Sequence, residues 1–142
     1  MAVFYSPGRF HFKKEPIATI TQTPVQNTWY TVLDTTSYVR ILYIAVKQDN
    51  TDNVAKALEI RVTIDGNAIS GAGTPGDNTW NYINLTPTVD TLSYTAAIFN
   101  SSYYVEMRGH SVKVELRMTD APGTAETLDG RVQYEVLSPG EV

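Results

Sequence analysis

Apolar and polar residues alternate along much of the chain. In KALEIRVTIDG, Leu58, Ile60, Val62 and Ile64 fall on one face and Glu59, Arg61, Thr63 and Asp65 on the other. A period of two places successive side chains on opposite faces, so the stretch predicts a half-buried antiparallel strand. The same alternation sets Val112, Val114, Leu116 and Met118 against Lys113, Glu115 and Arg117. It recurs for Val132, Tyr134 and Val136 against Arg131, Gln133 and Glu135, and for Tyr103, Val105 and Met107 against Tyr104, Glu106 and Arg108. Segments 17–22, 28–33, 37–47, 80–85 and 92–99 are rich in β-branched and aromatic residues and add further strands. Residues 39–46 are almost continuously apolar, which predicts a central strand covered on both faces. Only NVAKAL at 53–58 has the composition of a helical turn, and it runs straight into a strand.

Turn-forming residues separate these runs. Asp65-Gly66 ends one strand with a dipeptide that tolerates positive φ at both positions. QDNTDN (48–53), SGAGTPGDN (70–78), Asn100-Ser101 and DAPGTAETLDG (120–130) are loops by composition. Eight or nine short strands at this spacing predict an all-β, two-sheet antiparallel sandwich, jelly-roll-like, with an immunoglobulin-like sandwich as the alternative. The expected division is an N-terminal docking arm over 1–16 and a β-sandwich domain over 17–142.

The 142 residues suit one domain with a proper core. The net charge of -4 disfavours a broad nucleic-acid-binding face, and no nucleic-acid partner is expected. No apolar run approaches the roughly 20 residues that span a bilayer, and Ser6, Pro7, Gly8 and Arg9 interrupt the start before a secretion signal forms; no membrane partner is expected. The glycosylation patterns at Asn84 and Asn100 therefore read as chance matches. With no cysteine, disulfides, thiolate metal sites and cysteine nucleophiles are excluded.

Catalytic chemistry is sparse. His11 and His110 are the only histidines, and neither has a triad partner at a recognisable spacing. There is no Gly-x-Ser-x-Gly, His-Glu-x-x-His or phosphate-binding glycine loop. No catalytic residue, cofactor or metal is expected. Two loops offer candidate ligand-binding groups: Asp49 and Asp52 in QDNTDN, and Asp77 in GDN followed by Trp80. Asp and Asn are hard oxygen ligands suited to calcium, but the EF-hand glycine and distant glutamate are missing, and the same residues form ordinary turns. Exposed rings such as Trp29, Trp80, Tyr82, Tyr94, Tyr103 and Tyr104 suit a sugar platform, although Trp and Tyr are also normal strand residues.

The first residues are unusual. Phe4, Phe10 and Phe12 are three of the four phenylalanines, and they stand among Tyr5, Arg9, Lys13 and Lys14. Residues 1–16 carry a net +2, which leaves -6 on the remainder. Burying one Phe is worth about 1.5–3 kcal/mol, so such a segment favours a partner surface. Three fates compete: addition to a neighbouring subunit's sheet edge, docking on its own domain, or fraying. Opposite charge on the rest of the chain favours a second copy as recipient.

The block TWYTVLDTTSYVRILYIAVKQDNTDNVAKALEIRVTIDG (28–66) resembles small β-sandwich virion proteins of tailed bacteriophages. The shared elements are a Thr-rich TVL strand, a hydrophobic strand, a polar Asn/Asp loop and a strand closing in VTIDG. That resemblance implies a jelly-roll-like domain, a homotrimer and no enzymatic activity. It points to a capsid decoration or cementing protein whose partners are its own copies and the major capsid protein, in a virion assembled in the host cytoplasm. The alternative is a receptor- or carbohydrate-binding module of a tail fibre or baseplate.

Overall fold

The computed structural model describes residues 16–86, 91–95 and 107–137. Residues 1–15 of the arm and the alternating stretch at 103–106 lie outside these residues, as do positions 96–99 of the segment at 92–99. Ten strands follow in chain order: β1 (Ile17–Gln22), β2 (Tyr30–Thr35), β3 (Val39–Asp49), β4 (Leu58–Ile64), β5 (Asn67–Gly73), β6 (Asn81–Thr86), β7 (Thr91–Thr95), β8 (Met107–Gly109), β9 (Val112–Met118) and β10 (Thr127–Val136). All pairings are antiparallel. One sheet has the order β1-β10-β3-β6-β7, with β8 also pairing β3; the other has the order β2-β9-β4-β5.

The pairing is nested. β1 meets β10, β2 meets β9, β3 meets β8, and β4 meets β5. A long antiparallel hairpin wound across two sheets gives this order, which is the jelly-roll winding rather than the immunoglobulin one. β6 and β7 are a further hairpin that joins the first sheet through Ala45 and Val46 of β3.

The alternation seen in the sequence builds the core. Leu58, Ile60 and Val62 of β4, Val112, Val114, Leu116 and Met118 of β9, and Leu128 and Val132 of β10 are fully buried. They meet Val39, Ile41, Ile44 and Val46 of β3 between the sheets. In β2, Val32 and Leu33 are consecutive and both buried, because the register to β9 slips between Thr31 and Leu33. Such a bulge inserts one extra residue and turns two neighbours inward. At the β4–β5 turn, Asp65 and Gly66 have φ of 48° and 86°, the two positive values of a type I′ hairpin.

The structure corrects three expectations. Residues 70–73, expected as loop, are the end of β5, and 127–130, also expected as loop, begin β10. NVAKAL forms no helical turn; Asn53 has a φ of 56°, and residues 54–57 run as irregular chain into β4. β5 escaped notice because its inner face carries Gly71 and Gly73 where other strands carry branched residues. Those glycines allow β7 to approach closely: a Cβ on Gly71 would lie 2.0 Å from the Leu92 carbonyl oxygen, and one on Gly73 would lie 2.7 Å from the Tyr94 ring. The Tyr94 hydroxyl donates to the Gly71 carbonyl at 3.1 Å. Burial, and then the charge of Glu59, push its pKa well above the usual tyrosine value.

Candidate functional site

Both candidate loops come to one end of the sandwich, and a third joins them. The 48–53 loop leaves β3, the 74–80 loop enters β6, and the 119–126 loop enters β10. At their junction stand Gln48, Asn50 and Glu126, all buried. The Asn50 amide nitrogen donates to Glu126 Oε1 at 3.1 Å and to the Val54 carbonyl at 2.7 Å, and its oxygen accepts the Val54 N–H at 3.1 Å. Gly123 N–H donates to Glu126 Oε1 at 2.8 Å. The Gln48 amide, oriented to suit its neighbours, donates to Glu126 Oε2 at 2.8 Å and accepts the Asp77 N–H at 3.3 Å. A buried network of this kind holds its place because each polar group has a partner.

The candidate carboxylates serve this junction. Asp77 Oδ1 accepts the Asn50 N–H at 2.9 Å, so the first loop is tied to the second. Asp52 Oδ2 accepts the Thr124 N–H at 2.7 Å and ties the first loop to the third. That backbone bond, then the Thr124 hydroxyl, with a smaller contribution from Lys56, holds the Asp52 carboxyl below its ordinary value. Asp49 ends β3 opposite Thr127. Among the described residues, no group of three or more His, Asp or Glu is arranged to hold a metal ion. The geometry therefore brings Asp52 and Asp77 to one junction as acceptors of backbone N–H groups.

Trp80 lies beside this junction on the outer face of the larger sheet. Its neighbour Asn81 pairs with Val46, which sets Trp80 beside Lys47. Lys47 Nζ lies over the indole at 5.2 Å and the Arg131 guanidinium at 4.6 Å. Tyr82 meets Tyr43 edge to face at 6.0 Å on the same side. The smaller sheet carries a parallel cluster: Arg61 and Arg117 lie over Trp29 at 4.1 and 4.5 Å. Here both cations are also ion-paired, Arg61 with Glu115 at 3.0 Å and Arg117 with Glu59. Cation–aromatic contacts of this type are worth about 0.5–1 kcal/mol at exposed sites. His110 stacks on Tyr38 at 4.2 Å, and its backbone N–H donates to Asp65 Oδ1, a turn role.

Phe4, Tyr5, Arg9, Phe10, Phe12, Lys13 and Lys14 lie outside the described residues. Sequence reasoning missed Glu126, whose loop looked like plain turn composition. It also missed Lys47 and Arg131, since only the β3–β10 register brings them to one indole.

No family model matches the sequence, and no characterised protein matches it. Among solved structures, a chain of the acidic stable capsid structure of Helicobacter pylori bacteriophage KHP30 is 13% identical with a TM-score of 0.48, over 89% of this chain and 95% of that one. The infectious bursal disease virus Gx strain structure is 14% identical with a TM-score of 0.39, and the match spans 98% of this chain and 38% of that one. The VP2 subviral particle of the same virus is 12% identical with a TM-score of 0.35, over 99% and 38% of the two chains.

Proposed function

We propose that this chain is a non-enzymatic structural protein of a bacteriophage virion, one that decorates or cements the capsid as a homo-oligomer, with a trimer favoured. The observation that carries the reading is the place of β1. It is an edge strand of the larger sheet, and in sequence it follows directly on the Phe-rich residues 1–16. An arm leaving from a sheet edge is well set to reach a neighbouring copy or the major capsid protein, where its phenylalanines gain burial. The resemblance of 28–66 to small β-sandwich virion proteins of tailed phages supports the same reading. The jelly-roll winding is compatible with it, although that fold also serves lectins and cupins and does not choose a function alone. Many weak contacts repeated around a shell add stability by mass action and avidity.

The test compares the solution mass of the full chain with that of a chain beginning at Ile17. A defined oligomer that falls to monomer on truncation is the expected result. A folded monomer in both cases, with no binding to capsids, would remove the assignment. The second reading is a receptor- or glycan-binding module, favoured by the convergence of the 48–53 and 74–80 loops beside Trp80. It requires Trp80→Ala to abolish glycan binding while truncation of the arm leaves that binding intact.

A further inference from the structure

Most charged groups of the described residues are satisfied within the chain. Arg61 and Lys113 pair with Glu115, Arg117 with Glu59, and Arg40 with Glu135. Asp52, Asp65, Asp77 and Asp120 accept backbone N–H groups, and Asp129 accepts the Thr21 hydroxyl. Asp49 and Lys56 form no ion pair among the described residues, and two further places stand apart. Lys47 and the exposed Arg131 contact the Trp80 ring and have no ion pair among the described residues, unlike their counterparts over Trp29. Asp49 and Asp129, the carboxylates nearest in register, are not ion-paired with them. The exposed Asp34 of β2 likewise has no hydrogen bond or ion pair among the described residues; Lys113, opposite it in register, turns to Glu115 at 3.6 Å.

We infer that the Lys47–Trp80–Arg131 surface binds the Asp34 edge of a second copy of this chain, in a head-to-tail contact. The placement fits. Lys47 and Arg131 lie on the larger sheet toward the Gln48–Asn50–Glu126 end, whereas Asp34 lies on the smaller sheet toward the opposite end, near the Asp65–Ser111 contact. The charges fit too, since each copy is acidic overall at -4 and repels its like except where an unmatched cation meets an unmatched carboxylate. The two surfaces lie on different sheets and toward opposite ends, so one neighbour does not meet both across a twofold axis. The contact is therefore heterologous, the type that closes into rings or extends through a lattice instead of stopping at a dimer. This inference rests on the reading that the chain assembles with its own copies.

Charge exchange between the two surfaces tests it. Sedimentation would be measured for the full chain, for Lys47→Glu/Arg131→Glu, for Asp34→Lys, and for an equal mixture of the two variants. Each variant alone places like charges at the contact and is expected to assemble about tenfold more weakly or worse. The mixture is expected to recover, because every contact between unlike variants again joins opposite charges. Wild-type assembly by either variant alone, or a mixture of folded variants that stays dissociated, overturns the inference. Should reversal disturb the circular dichroism of either variant, Arg131→Gln and Asp34→Asn replace them; both are then expected to weaken assembly and reduce its salt dependence, and unchanged assembly overturns the inference. Loss of binding to an anionic glycan with assembly intact assigns the cations to a saccharide and also overturns it. A wild-type chain that is monomeric at every concentration removes the assembly reading itself, whereas assembly retained in every variant removes only this contact.

Discussion

Asp52 shows how a residue that looks like a ligand can serve the loops that carry it. The residue is exposed, yet its carboxylate accepts the Thr124 N–H and fastens the first loop to the third. The bond favours the ionised form, so the folded-state pKa lies below the ordinary 3.8. The sign follows from linkage. A carboxyl with a depressed folded value stabilises the fold fully above its unfolded pKa, and that contribution is lost as the pH falls through the folded one. The carboxyl carbon of Asp52 is therefore expected to titrate with a midpoint below 3.8 by NMR, and Asp52→Asn to remove part of the acid-side fall in stability. A midpoint at or above that value would show that the Thr124 bond does not form in solution. The Asp and Asn content of 48–53 was legible in the sequence, but its partner was not. Thr124 is 72 positions away, and composition holds no record of such a contact.

At the scale of the element, strands with strict alternation could be read directly, because one face had to be apolar to enter the core. β4 and β9 show this: Leu58, Ile60 and Val62 and the four inner residues of β9 are fully buried, while Glu59, Arg61, Glu115 and Arg117 on the outer face form cross-strand ion pairs. β5 could not be read, because its inner face is shaped by what approaches it and not by hydrophobicity. Gly71 lets the Leu92 backbone come close, and the Tyr94 hydroxyl then caps the Gly71 carbonyl. This joins the edges of the two sheets on that side. The start of β10 was hidden for a related reason: Gly130 looks like turn composition, yet a Cβ there would meet Val32 Cγ2 at 2.8 Å within the core. Gly71→Val is expected to push β5 from β7 and cost about 1–3 kcal/mol, read from the denaturation midpoint. Gly66→Asn, in a type I′ turn with open space around it, is expected to cost far less. Equal losses at the two positions would mean that β5 and β7 do not meet as described.

For the molecule as a whole, the nested pairing makes the first described strand the partner of the last. β1 lies along β10 from Ile17↔Gln133 to Gln22↔Leu128, and β10 in turn lies along β3. The larger sheet is therefore complete on this side only when β1 and β10 are both in place, a non-local closure that composition alone does not reveal. This separates two truncations that look alike on paper. A chain beginning at Ile17 keeps β1, and with it the inward-packed Ala18 and Ile20, so it is expected to fold as the full chain does. A chain beginning at Thr23 loses them and leaves one edge of β10 unpaired along its length. An uncovered edge of that kind recruits other chains, and the exposed apolar surface beneath it adds to the drive. The shorter chain is expected to lose cooperative unfolding and to aggregate, checked by thermal melts and light scattering at matched concentration. If it melts like the chain beginning at Ile17, β1 is dispensable to the sandwich, and an arm that departs from it has no fixed anchor from which to reach a neighbour.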